Sequence, residues 1–426
     1  MYSSAGIILC SLFALSSAHP GGVGILGAPP SLLQGLKLRD HDHHGEAQPA
    51  LSLRDTPNCG TQANNASCPT GQCCSQDGFC GTGRAFCDAP QCQFRFGPAC
   101  DANILPQGTN TSSVPRPQLG SVPYSPQQIW NCTEDKTVAL TYDDGPYLYS
   151  LDLYKILAKY NAKATFFVTG VNIGKHAIDN TSTPWPQLLK YAYDSGHQIG
   201  QHTWSHPDLD KITQAERYTE ITKLEMALRN ILGFFPTYFR PPYEDCHTSS
   251  GCMSDMQALG YHTIMQNVWT DDYVNYTPEL YDQLVSNFTE GISGANASNN
   301  HIIYAHEQEK PTVYNLTDYM IQTLSKDGYR FVTVGECLGD PAENWYRDAS
   351  TGGPVPVKIF GVGAPKAPLT LNAASSSSSS SQGASSSGTS AAVQKSAAPR
   401  FAVFAPTAAT AWALCAMIAA LNLLLL

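Results

Sequence analysis

T-Y-D-D-G-P, Thr141 to Pro146, closes the apolar run Val138-Ala139-Leu140, and the fold of the 426-residue chain is read outward from it. An apolar run of this length that ends in turn residues is the pattern of a buried strand. Two adjacent carboxylates then sit at the strand's carboxyl end. Successive strand side chains point to opposite faces, so Asp143 and Asp144 do not share a role unless Gly145-Pro146 turns the chain beneath them. One carboxylate could bind a metal while the other handles protons; a turn cap without chemistry is the competing reading.

Around this stretch, residues 131–340 alternate apolar strands with amphipathic segments about seven times. The strand candidates are 138–142, 164–169, 198–201, 237–240, 263–268, 301–305 and 331–334. Helical patterns fall at 150–160, 186–195, 213–231, 252–259, 278–290 and 313–327. Such alternation makes a parallel sheet, and the length suits an α/β fold in the form of a small, distorted or incomplete (β/α) barrel. Barrel active sites lie at the carboxyl ends of strands, and four further polar clusters fall on or just after these strands.

His202-Thr-Trp-Ser-His206 puts two imidazoles four residues apart, able to face one metal if the segment is helical or tightly turned. With Asp144 they make two nitrogens and a carboxylate, the donor set of a catalytic divalent site with positions left for water. Zinc is the leading ion, with cobalt the alternative. Such a site suits hydrolysis of an amide or ester. Arg240-Pro-Pro-Tyr243 follows the fourth strand, where prolines stiffen the backbone. Asp271-Asp272-Tyr273 follows the fifth, and Ile302-Ile303-Tyr304-Ala305-His306 ends the sixth.

The flanks read differently. Residues 1–18 carry an apolar core before Ser16-Ser17-Ala18, a secretory signal peptide. Residues 19–57 are polar and rich in Gly and Pro, and the His41, His43, His44 tract lacks the apolar pattern that would fix ligand geometry, so they are read as a flexible segment. Eight of the fourteen cysteines fall within the 42 residues from Cys59 to Cys100, too little chain for an ordinary core, so disulfides must hold a small secreted module at 58–101. Residues 102–128 repeat proline with Ser, Thr and Gly, the composition of a semi-rigid linker that keeps the module apart from the α/β region. That region, with its margins, is bounded at 129–345. Cys132 and Cys337 lie at its two ends and are expected to pair, as are Cys246 and Cys252.

Beyond it, residues 346–388 form a Ser-rich stalk, and 389–426 end in the uncharged apolar run Ala408 to Leu426. That tail matches a glycolipid (GPI) anchor signal to be removed, with the anchor at Gly388 and attachment to the cell membrane or wall. Sequons at Asn65, Asn110, Asn131, Asn180, Asn275, Asn287, Asn296 and Asn315 fit a secreted glycoprotein. A net charge of −10 and a pI near 5.6 argue against a nucleic-acid partner, which requires a basic face, and none is evident. A monomer is expected.

Two resemblances organise these observations. The spacing C-x8-C-x4-C-C-x5-C-x6-C, with Cys92 and Cys100, resembles the hevein-like chitin-binding module. That likeness implies the pairs Cys59 with Cys74, Cys68 with Cys80, Cys73 with Cys87, and Cys92 with Cys100. It also implies sugar contacts by Ser75, Phe79 and Phe86, whose rings would stack on acetylglucosamine; Asp77 stands where the family often has another ring. T-Y-D-D-G-P, H-T-W-S-H, R-P-P-Y, D-D-Y and Y-A-H, in that order, resemble the five motifs of the NodB-type polysaccharide deacetylases, carbohydrate esterase family 4. The resemblance implies Asp143 as general base, Asp144, His202 and His206 as metal ligands, and His306 as general acid. It further implies that Arg240 orients Asp143, that the Tyr243 amide binds the oxyanion, and that Asp272 positions the imidazole. Trp269, Tyr273 and Tyr304 depart from the family pattern where the acetyl pocket is lined.

Taken together, the resemblances imply metal-dependent removal of N-acetyl groups from chitin or partially deacetylated chitin, giving chitosan and acetate at the cell surface. Two alternatives remain open on the sequence: a non-catalytic chitin-binding wall protein, and a deacetylase acting on another polysaccharide.

Overall fold

A computed structural model describes residues 56–273, 278–294 and 298–356. The signal peptide, the segment up to residue 55, the sequons Asn275 and Asn296, Gly388 and the apolar tail lie outside the described residues, as does the stalk beyond residue 356.

Among the described residues the main sheet has nine strands: β1 (Gln128–Ile129), β2 (Thr137–Asp143), β3 (Ala164–Val168), β4 (Gln198–Gln201), β5 (Tyr238–Phe239), β6 (His262–Ile264), β7 (Val268–Trp269), β8 (His301–His306) and β9 (Arg330–Phe331). Its order is β7-β8-β2-β3-β4-β5-β6-β1, with β9 on β2, and every pairing is parallel. Helices α1 (Ser150–Lys159), α2 (Trp185–Asp194), α3 (Gln214–Leu232), α4 (Cys252–Ala258), α5 (Pro278–Ser293) and α6 (Thr317–Lys326) lie between the strands, and α7 (Val334–Cys337) follows the last. A parallel sheet covered by helices is apolar on both faces, and all seven residues of β2 are buried. The end strands β1 and β7 share no ladder, so the barrel is open. Side chains span the opening: Asn267 Nδ2 donates to Asn131 Oδ1 at 2.7 Å, and the Trp130 and Trp269 rings lie 6.3 Å apart.

Besides the strand expected at 331–334, which is only Arg330–Phe331 and gives way to α7, three features differ from expectation. The single strand expected at 263–268 is two strands, because the Arg240 guanidinium takes the Ile264 and Met265 carbonyls and interrupts the ladder. Met265 N then bonds to Ile129 O, and Asn267 N bonds to Ile302 O. The segment thus carries the chain across the barrel opening. Beyond the expected limit at 345, Tyr346–Asp348 pairs antiparallel with Phe234–Pro236.

The third difference concerns the linker. Instead of standing apart, residues 102–128 are laid along the barrel. Arg116 pairs with buried Glu225 of α3 at 2.6 Å, Thr111 Oγ1 donates to the same carboxylate at 2.5 Å, and Arg347 Nη1 donates to Pro117 O at 2.9 Å. Ser125 bonds Tyr261 O, and the segment ends as β1. Proline-rich composition signals extended backbone, but it does not say whether that backbone has a surface to lie on.

The module itself is held by Cys59–Cys74, Cys68–Cys80, Cys73–Cys87 and Cys92–Cys100, the pairs that the resemblance implies. Cys132–Cys337 and Cys246–Cys252 pair in the barrel. Ser75 Oγ accepts from Phe79 N, and Phe86 packs against Cys73, Cys92 and Cys100, so part of its surface serves the module's core. Asn65, Asn110, Asn131, Asn180 and Asn315 are exposed. Asn287 uses its amide nitrogen on Asp271 Oδ2 at 3.0 Å, which a glycan on that atom would disturb. Among the described residues, no helix is long and apolar enough to cross a membrane.

Replacing Arg116 by Ala leaves Glu225 buried without its ionic partner. The expected cost is about 3–5 kcal/mol in urea unfolding. A loss of under about 1 kcal/mol would show that the strap does not hold the carboxylate.

Candidate active site

Each polar cluster arrives at the carboxyl end of a strand: Asp143 ends β2, His202 follows β4, Arg240 follows β5, Asp272 lies three residues beyond β7, and His306 ends β8. Several site residues have left-handed backbone: Asp144 at φ 73°, Thr203 at 71°, His206 at 60° and Tyr243 at 59°. Non-glycine residues persist there only when their surroundings hold them. For H-T-W-S-H the holding group is Glu220 of α3, which accepts from Ser205 N at 2.7 Å and Ser205 Oγ at 2.8 Å. The segment is therefore a tight turn rather than a helix.

The turn brings His206 Nε2 to 3.4 Å and His202 Nε2 to 3.9 Å from Asp144 Oδ1. Donor atoms of the three residues lie within 4.8 Å of one another. His202 Nδ1 is 2.7 Å from Arg240 O; donating there fixes the tautomer and leaves Nε2 as a free donor for an ion. Burial holds the His202 imidazole well below its usual range, so it is neutral. Burial would raise Asp144, but the basic groups around it, His206 and His202 when protonated and His306 and Lys175 besides, outweigh it and hold the carboxylate low. Neutral imidazoles and an ionised carboxylate are the states a divalent ion requires.

Asp143 is fully buried. Its Oδ1 accepts from Arg240 Nη1 at 2.9 Å, and its Oδ2 has no hydrogen-bond partner and lies 3.7 Å from His202 Nε2. Burial pushes Asp143 up to about 6 against the pull of Arg240. Arg240 also donates to Thr141 Oγ1 at 2.7 Å, so its guanidinium is fixed on several sides. On the opposite wall, Asp272 Oδ1 is 2.8 Å from His306 Nδ1, while its Oδ2 accepts from His306 N and from Thr312 Oγ1. Burial would lower His306, but Asp272 outweighs it and pushes the imidazole up to about 9. Tyr304 OH lies 3.1 Å from His306 Nε2, so this tyrosine touches the imidazole's outward nitrogen. The Tyr243 ring is half exposed and meets His206 edge-on at 4.6 Å; Tyr273 is exposed, 5.7 Å from His306.

Several contributors carry no motif. Asn172 donates to Asp144 Oδ1 at 2.7 Å and Gln308 to Oδ2 at 3.0 Å. Buried Lys175 Nζ donates to the Asp144 and Gly145 carbonyls at 2.6 Å each. Glu307 lies against Gly145, where a Cβ would come within 1.3 Å of its Oε1; only glycine fits there. The one signal available in the sequence is adjacency: Glu307 and Gln308 directly follow His306.

Comparison with known proteins gives two families: polysaccharide deacetylase over residues 131–264, and chitin recognition protein over residues 58–100. A chitin deacetylase of Colletotrichum lindemuthianum is 41% identical over 252 residues, covering 59% of this chain and 97% of that protein. A chitin deacetylase of a Pestalotiopsis species is 38% identical over 258 residues, 58% of this chain and 82% of its own. The solved structure of the Colletotrichum enzyme superposes with a TM-score of 0.49 at 40% identity, over 53% of this chain and 97% of that one.

The imidazole's elevation depends most on Asp272, with Asp144 and Asp143 adding to it. In Asp272→Asn, burial loses its largest opponent, so the His306 pKa should fall well below about 9. Titration by histidine NMR measures this directly, and a value still near 9 would show that Asp272 is not the cause.

Proposed function

The chain belongs to the polysaccharide deacetylase family, and from that premise we propose that it hydrolyses the N-acetyl groups of N-acetylglucosamine units in chitin, giving chitosan and acetate. The observation that carries the reading is one juxtaposition. A three-donor cluster of Asp144, His202 and His206 adjoins the unpartnered, buried Oδ2 of Asp143. A hydrolase needs a base with a free lone pair beside an electrophilic centre.

The donor set fits a divalent ion, with zinc the best match to two imidazoles and one carboxylate. When bound, such an ion lowers the pKa of water and polarises the acetyl carbonyl. Asp143, oriented by Arg240, accepts the proton of the attacking water at Oδ2. The Tyr243 amide, at a turn stiffened by Pro241 and Pro242, is assigned to the developing oxyanion. His306, kept cationic by Asp272, gives its Nε2 proton to the departing amine, and Tyr304 holds that nitrogen until substrate takes its place. Tyr273 and Tyr304 border the acetyl pocket, with Trp269 tied through Nε1 to Glu244 at 2.8 Å. Opposite charges on the base and acid at one pH arise from their separate partners.

The chitin recognition match, with Ser75, Phe79 and Phe86 as its sugar contacts, supports chitin over peptidoglycan or xylan. Six disulfides fit an extracellular protein. The apolar tail supports a glycolipid-anchored form at the cell surface.

The test is acetate release from chitin oligomers with and without a chelator. Asp144→Ala and His206→Ala should lose bound metal and activity together. Asp143→Asn should keep the metal and lose about 10²–10⁴-fold in kcat, and full activity there would refute the base assignment. The pH profile is set by the same groups. Activity should disappear as pH rises through about 9 or lower, where His306 loses its proton, since a bound cation depresses this limb too. It should also fall below about 6 or lower, where Asp143 becomes protonated, since a bound cation can only depress that limb. A profile flat across pH 9 would sink the assignment of His306 as the acid.

A further inference from the structure

A groove of about 620 Å³ runs between the small module and the barrel. His206 and Tyr243 of the catalytic centre are among the residues that line it, so it is continuous with that centre. The module contributes Gln91, Phe94 and Phe96 to one wall, and the barrel contributes Pro207 and Lys211 to the other. Ser75, Phe79 and Phe86 do not line it.

The two walls are fixed relative to each other. Arg95 pairs with Glu216 through two contacts of 2.5 Å each, Lys223 Nζ donates to Ala102 O at 2.7 Å, and Arg84 Nη2 donates to Ile173 O at 3.1 Å. Ile173 N bonds to Ala89 O at 2.9 Å, and Ala89 and Ala102 belong to the same buried cluster as the barrel's strands. Gly174, at φ 66°, sits so close to the module that a Cβ would meet Asp88 Oδ2 at 2.3 Å. The groove is therefore preformed and does not depend on a swinging tether.

Its volume lies within the range of sites that enclose a small ligand, about 300–1,000 Å³. Its chemistry is mixed. Phenyl and prolyl surfaces suit the C-H faces of pyranose rings, and the Gln91 amide and Lys211 ammonium can bond hydroxyl and acetamide oxygens. A polymer whose acetamide sits at the catalytic centre must continue along the surface from that point, and the groove adjoins it through His206 and Tyr243.

We propose that this groove is a saccharide subsite in which module residues 90–96 and barrel residues 207–212 together hold the N-acetylglucosamine units adjoining the one being hydrolysed. The inference rests on the deacetylase reading. It makes the module part of the substrate cleft, separate from its own sugar contacts.

The test uses full-length, zinc-loaded protein and the ratio of kcat/KM for the N-acetylglucosamine hexamer to that for the dimer. Gln91→Ala and Lys211→Ala should each lower this ratio by at least about threefold, the usual worth of one lost hydrogen bond. An unchanged ratio in either variant would overturn a subsite shared by both walls. Hydrogen exchange on Asp143→Asn, which leaves the acetyl groups in place, gives a second reading on otherwise unaltered walls. The hexamer, and not the dimer, should slow exchange in both 90–96 and 207–212; protection of one segment alone would also overturn the proposal. If wild-type protein showed that double protection yet released no acetate, the groove would stand and the catalytic reading would fall.

Discussion

The buried pair of Arg240 and Asp143 is the constraint on which the rest depends. The guanidinium has no exposure to speak of, so each of its donors needs an acceptor, and it finds them on Asp143, Thr141, Ile264 and Met265. Two of these are backbone carbonyls, which ends β6 and sends the chain across the barrel opening to β7. The same side chain thus shapes the mouth of the barrel and decides which Asp143 oxygen is tied and which is free. A lysine, with its compact point charge, could not span these acceptors.

From that pair outward, the site is a set of buried charges each with its own partner. Asp143 has Arg240, His306 has Asp272, and Asp144 has two imidazoles together with Asn172 and Gln308. The carbonyls of Asp144 and Gly145 are held from below by Lys175, whose ammonium burial lowers to about 7. Glu307, pushed up to about 8 by burial, packs into the space a side chain at position 145 would occupy. The D-D-G-P turn is over-determined from both sides, which is what a left-handed Asp144 requires.

The same geometry separates what is legible in the residues from what is not. Strand ends and their polar clusters are local patterns, so the parallel barrel and the convergence of Asp144, His202 and His206 can be argued from spacing and resemblance. Asn172, Lys175 and Gln308 act through positions fixed only by tertiary structure. An isolated Asn or Lys after a strand looks like any solvated loop residue. The proline-rich stretch misleads for a related reason: its binding partners, Glu225 and Tyr261, lie more than a hundred residues away. Short strands such as β1 and β7 hold too few residues to show a period.

The docking of the module changes the physical account of how it could help a polysaccharide enzyme. A flexible tether raises the local concentration of polymer by an amount set by its length, without regard to direction. A module bonded through Ala89 and Arg84 to residue 173 instead presents its surface at one angle to the site. Residue 172, next in the chain, donates to the Asp144 carboxylate. The same short loop therefore carries both the module's backbone contact and a hydrogen bond to a candidate metal ligand. Ordering that loop once serves both purposes, and the entropy of fixing it is spent in folding instead of at each encounter with substrate.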